Sequence, residues 1–152
     1  MEKNDAALLL DSLADHEKAL SRLYKKFSER FPRTRDLWIE LSKDEEMHGQ
    51  WIGKMKSLYQ QGKLQINPNR ITMVSVRTSI QFIEGQIKKT ESGEITEAKA
   101  LAIASNLESA MIDERYFRMF SFTDARFAKV NEKLEKATEM HKRKLEKASF
   151  DR

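Results

Sequence analysis

Cysteine is absent from the 152 residues, and glycine and proline are scarce, at five and two. The first absence removes disulfides, thiolate metal ligands and cysteine nucleophiles, and it fits a reducing, cytoplasmic setting. The second argues against a sheet-rich domain, which needs turn residues every few positions, and favours a few long helices. Long apolar runs are missing too. The run Ala6-Ala7-Leu8-Leu9-Leu10, closed by Asp11, is too short and too acidic at its edge for a signal peptide or a membrane span. Nor is there a large excess of one charge, since 28 basic and 24 acidic residues leave a net +4. The densest basic cluster, His141-Lys142-Arg143-Lys144, is interrupted on both sides by Glu139 and Glu146. Spread charge of this kind reads as the solvated faces of long helices, so neither nucleic acid nor membrane is expected as a partner.

What is present is helical periodicity in a chain long enough for a single domain, 1–152, with one core. Leu13, Leu20, Tyr24, Phe27 and Phe31 lie three, four or seven residues apart and predict a first helix from about Asp5 to Phe31, closed by Pro32. A second helix, capped by Thr34 or Asp36, carries Trp38, Leu41, Ile52, Met55 and Tyr59 and ends near Gly62. A shorter third helix carries Val76, Ile80, Ile83 and Ile87 and stops at Glu91-Ser92-Gly93. Thr96 caps a fourth, with Leu101, Ala104, Met111 and Ile112, and a last helix carries Phe127, Val130, Leu134, Leu145 and Ala148. No segment alternates with period two over a useful length, so the reading is all-α: four long helices and a shorter crossover helix.

The residues that carry chemistry interrupt those apolar stripes. Glu17 stands between Leu13 and Leu20. Glu45 follows Leu41 by four, and His48 precedes Ile52 by four. Glu108 lies between Ala104 and Met111, and His141 sits seven after Leu134 and four before Leu145. An unpaired carboxylate in a core is costly, and several at one depth need a compensating positive charge. A metal ion supplies it, and carboxylate with imidazole suits iron, manganese or zinc. The Glu45-x-x-His48 spacing puts both side chains on one helix face, within reach of the same ion.

This pattern resembles the rubrerythrin-type proteins of the ferritin-like superfamily, most densely over Asp15-His16-Glu17 to Tyr24 and Leu37-Trp38 to Glu45-Glu46-Met47-His48. Such bundles take one glutamate from each of two helices and a Glu-x-x-His from each of the other two. The resemblance implies a ferritin-like four-helix bundle with an extra short helix in the crossover between the second and third long helices. It implies Glu17, Glu45, His48, Glu108 and His141 as ligands of iron, as one ion or two, with Glu45 bridging and manganese or zinc as alternatives. It implies handling of peroxide, dioxygen or ferrous iron, in a peroxidase- or ferroxidase-like oxidoreductase, and a homodimer. With no cysteine-ligated iron module in this chain, electrons would come from an external donor. Tyr24 and Tyr116 fall where family members often keep an aromatic beside the metals, although ordinary core packing is the preferred reading of both positions.

One departure stands out. Three residues before His141 is Thr138, where the resemblance requires the second bridging carboxylate; Glu139 is rotated off the stripe and Glu135 lies a turn earlier. Arg115, seven after Glu108 on the same face, could pair with Glu108 and stand in for a metal's charge. The alternative left open is a metal-free bundle acting as a structural or interaction protein.

Overall fold

The computed structural model describes residues 3–67, 72–113 and 116–151. Five α-helices dominate it: α1 (Lys3–Arg30), α2 (Arg35–Gln60), α3 (Met73–Glu91), α4 (Glu97–Asp113) and α5 (Ala125–Phe150). The all-α reading holds, and among the described residues no helix is long and apolar enough to cross a membrane.

The punctuation follows local chemistry. Pro32 opens a single 3₁₀ turn, Pro32–Thr34, between α1 and α2. Gly62 and Gly93, with φ of +75° and +80°, end α2 and α3 in the left-handed conformation that a side chain disfavours. The Thr72 hydroxyl accepts from the Ser75 amide while the Ser75 hydroxyl accepts from the Thr72 amide, a reciprocal cap on α3. Thr96 caps α4 through the Lys99 amide, and Asp124 caps α5 through the Arg126 amide. Thr34, expected as a cap for α2, makes no capping bond. Its hydroxyl oxygen accepts from the Trp38 indole N–H at 2.8 Å and its hydroxyl donates to Glu97.

Cross-helix contacts fix the directions. Lys56 with Asp11 and Ser42 with Ser21 set α2 antiparallel to α1. His16 with Ser79 and Arg22 with Glu84 set α3 parallel to α1. Tyr24 with Glu108, and Thr34 in the turn just past α1 with Glu97, set α4 antiparallel to α1, while His141 with Asp44 and Lys144 with Glu40 set α5 antiparallel to α2. The third helix thus carries the chain back to the α1–α2 turn, so that α4 starts there and runs parallel to α2. At 19 residues this crossover helix is shorter than α1, α2 and α5, which have 28, 26 and 26, as its spacing had suggested.

Two further expectations change. Leu64–Ile66 (β1) and Phe120–Phe122 (β2) pair antiparallel, with Leu64 opposite Phe122 and Ile66 opposite Phe120, and tie the end of α2 to the start of α5. Three residues per strand are too few for a period-two signal to stand out. Val130, placed on the apolar stripe of the last helix, is 37% exposed, and its neighbour Asn131 is buried instead.

The core runs along the inner faces of the helices. Tyr24 stacks on Trp38 with ring centroids 5.8 Å apart, and Trp38 meets Phe27 at 4.8 Å. Leu13, Leu20, Leu41, Ile52, Met55, Leu101, Ala104 and Leu145 close the interior above and below the polar residues described next.

Candidate metal centre

Glu17, Glu45 and Glu108 are each 0% exposed, His48 is 3% and His141 is 2%. Four helices deliver them: α1 gives Glu17, α2 gives Glu45 and His48, α4 gives Glu108 and α5 gives His141. One turn from the ligand positions, Ser21 and Ser42 each donate to the other's carbonyl at 2.9 Å, which locks the register of α1 against α2.

The side chains form two triads that share one member. One donor atom from each of Glu17, Glu45 and His48 lies within 4.8 Å of the others, and the same is true of Glu45, Glu108 and His141. His48 Nδ1 is 3.3 Å from Glu45 Oε2 and 3.8 Å from Glu17 Oε2. On the other side, His141 Nδ1 is 3.7 Å from Glu45 Oε1 and 3.9 Å from Glu108 Oε1. The two imidazoles lie 6.2 Å apart, within 21° of parallel. Sequence spacing had singled out these five residues, and the fold brings all five together.

Two residues at the edge of the cluster prepare it. His141 Nε2 lies 2.8 Å from Asp44 Oδ2, so Nε2 carries the proton and donates to the carboxylate. Burial lowers the His141 pKa despite Asp44, which keeps the ring neutral. Its Nδ1 lone pair therefore points at Glu45 and Glu108. Tyr24, fully buried, donates its hydroxyl to Glu108 Oε1 at 2.9 Å, so it acts on the cluster as well as packing in the core. Sequence reasoning overlooked Asp44. The signal was its place beside Glu45, but its role needs the approach of α5.

The electrostatics are those of anions crowded out of water. Glu17 Oε1 and Oε2, Glu45 Oε1 and Oε2, Glu108 Oε2 and His141 Nδ1 are buried and face one another, with no hydrogen-bond donor from outside the cluster. Burial pushes Glu45 well above the usual carboxylate range, and the charges of Glu17 and Glu108 push it the same way. Burial also raises Glu108, to about 7, against the opposing Tyr24 hydrogen bond. For Glu17, burial is outweighed by interactions with Glu45 and His48, which hold it at about 2. His48 is raised because Glu17 outweighs the effect of burial. Lone pairs of three carboxylates and an imidazole facing one another at this depth repel, and a cation among them reverses the sign. The donor set of oxygens and imidazole nitrogens fits iron, manganese or zinc.

Thr138 is fully buried one turn before His141, and its hydroxyl donates to the Leu134 carbonyl of its own helix at 3.0 Å. Neither neighbouring glutamate joins the cluster: Glu135 faces Arg118 at 3.4 Å, and Glu139 is half-buried beside the stripe. Arg115 and the side chain of Tyr116 lie outside the described residues.

Removing the Tyr24 hydroxyl with Tyr24→Phe leaves Glu108 Oε1 without its donor. The metal-free protein should lose about 1–3 kcal/mol, read by denaturant unfolding, without loss of helix content. An unchanged stability would mean that the hydroxyl is not coupled to the cluster. No family model, curated protein or solved structure matches this chain, so its chemistry is read from the buried carboxylates and imidazoles themselves.

Proposed function

We propose that this chain is a ferritin-like, rubrerythrin-type four-helix bundle whose function is to bind redox-active metal, foremost iron, and to handle peroxide, dioxygen or ferrous iron. The observation that carries the reading is the pair of triads sharing Glu45, three carboxyl groups and two imidazoles buried together at one depth by four helices. Glu17 and His48 would hold one ion, Glu108 and His141 a second, and Glu45 both. Bound iron or manganese would supply Lewis-acid and one-electron chemistry there, and zinc Lewis-acid chemistry alone.

The chain's own groups have definable roles around such a centre. Asp44 fixes the His141 tautomer and raises its basicity, as partners behind metal-bound histidines do. Tyr24 orients Glu108 and offers a proton and an oxidisable ring. The apolar shell of Leu20, Leu41, Ile52, Leu101 and Leu145 keeps bulk water away. Asp44→Ala should weaken metal on the His141 side by roughly 10–100-fold and leave the His48 side near the wild-type value. Metal titration followed by calorimetry reads this, and equal weakening of both ions would contradict it.

A second reading has specific support in Thr138 and in the raised Glu45 and Glu108, which can hold protons where a metal would sit. It makes the chain a metal-free bundle with a structural or interaction role. Anaerobic loading with ferrous ion, desalting and elemental analysis separates the two. One or two irons retained per chain, and lost in His48→Ala, supports the metal reading; no retained iron, manganese or zinc leaves the metal-free one. The same resemblance supports a homodimer, which analytical ultracentrifugation would detect, and an external electron donor.

A further inference from the structure

We propose that the wedge between α3 and α4 is a binding site for a single-chain amphiphilic anion, a monocarboxylate on a medium-length hydrocarbon tail. The site lies outside the metal centre and stands or falls separately from it.

The wedge follows from where the two helices go. Only five residues, 92–96, join α3 to α4, yet α3 packs along α1 whereas α4 packs chiefly against α5. The pair opens away from its turn and leaves a cavity of about 710 Å³, the size of a small-molecule site. Its walls change character with distance from the turn. Lys89 and Lys99 each stand five residues from Glu94, Gln86 and Ile103 come next, and Phe82 and Leu107 are furthest. The cavity is thus cationic beside the turn and apolar towards its other end, where Phe82 stays 47% exposed while Ile103 and Leu107 are buried.

Gln86 marks the polar end of the ligand. It is 8% exposed and lines the cavity, and among the described residues its side-chain amide has no hydrogen-bond partner. An amide set so deeply is normally satisfied, and a ligand oxygen accepting from its N–H group would satisfy it. Lys89 and Lys99 have no carboxylate within ion-pair distance among the described residues, while Glu94 is held by the Ser92 hydroxyl at 2.5 Å. Two cations and one anion leave a single positive charge in the wall, which one carboxylate neutralises. Beyond the head, Phe82 lies seven residues from Lys89, about 10 Å of helix, which suits a tail of roughly eight to ten carbons. Such a tail would cover Phe82, Ile103 and Leu107, whereas a small inorganic anion would leave them facing water.

Decanoate, kept below its micellar concentration, is titrated into the full chain by calorimetry, with isoleucine methyl resonances followed by NMR in parallel. The expected result is one decanoate per chain, a negative heat-capacity change, and methyl shifts at Ile95 and Ile103. Decanol has the tail without the charge, and Lys89→Gln with Lys99→Gln removes the charge from the wall. Each should bind roughly tenfold more weakly, the worth of two exposed ion pairs. Asn106→Trp fills the cavity from an exposed position and should abolish binding without loss of helix content. The inference is overturned by no saturable binding, by several decanoates per chain, or by decanol bound as tightly as decanoate. Shifts centred on Ile52, in the bundle core, would overturn it too. So would a chain that sediments as a dimer, ignores decanoate and becomes monomeric in Asn106→Trp, because the wedge would then belong to a second copy.

Discussion

Replacing Glu45 with leucine should shift stability in opposite directions with and without metal. In the metal-free protein, Glu45 is fully buried, raised in pKa by burial and repelled by Glu17 and Glu108. A leucine removes a buried carboxylate and both repulsions at similar volume, and replacing buried charge with apolar bulk commonly stabilises by about 1–4 kcal/mol. With metal present the order inverts. Ligand binding to the folded state alone adds about 4 kcal/mol at a thousand times Kd, which for a chain of this length is about 10 °C in Tm. Because Glu45 belongs to both triads, Glu45→Leu should lose that gain entirely, whereas Glu17→Leu and Glu108→Leu should each lose part of it. Scanning calorimetry in chelator and in excess Mn(II) measures both arms. A variant less stable than wild type in chelator, or one still raised by Mn(II), would contradict the shared-ligand arrangement.

The second large effect is an inverted pH dependence. The Glu108 pKa is raised from 4.5 to about 7 in the folded chain, so between those values the folded state holds a proton that the unfolded state has released. Stability from this group is therefore fully present below pH 4.5 and lost as pH rises through 7, an amount of about 3 kcal/mol. Glu45, shifted the same way, adds to it. Glu17 has the opposite sign: held at about 2, its contribution is present above 4.5 and lost as pH falls toward 2. Glu108→Gln isolates the first group because the amide does not titrate. In chelator, wild type should gain on Glu108→Gln by about 3 kcal/mol between pH 8 and pH 4.5, read by denaturant unfolding at each pH. A difference independent of pH would mean that Glu108 is ionised throughout. Metal reverses the trend, since it binds the deprotonated carboxylate and must displace the proton below pH 7.

The ligand set was legible because a charge on an apolar stripe has few explanations. Glu17, Glu45, His48, Glu108 and His141 each occupy a position where helical spacing requires an apolar side chain, and burial of all five follows from that register. Thr138 was legible for the converse reason, as an absence at a fixed offset from His141. Asp44 was not, because the stripe of α2 places it on the flank and its value depends on where α5 lies across from it. The direction of α3 and its packing along α1 were equally hidden, since an amphipathic helix announces which face is buried but not against what. The ribbon of Leu64–Ile66 and Phe120–Phe122 escaped notice because its partners stand more than fifty residues apart and each strand spans only three.

The central claim is that one buried centre, shared through Glu45, holds metal. Anomalous diffraction from crystals of the metal-loaded chain, collected on either side of the metal's absorption edge, tests it most directly. Anomalous peaks are expected enclosed by Glu17, Glu45 and His48 and by Glu45, Glu108 and His141, and absent from Glu45→Leu crystals grown alike. Peaks confined to surface carboxylates, or none in a crystal grown with excess metal, would contradict it.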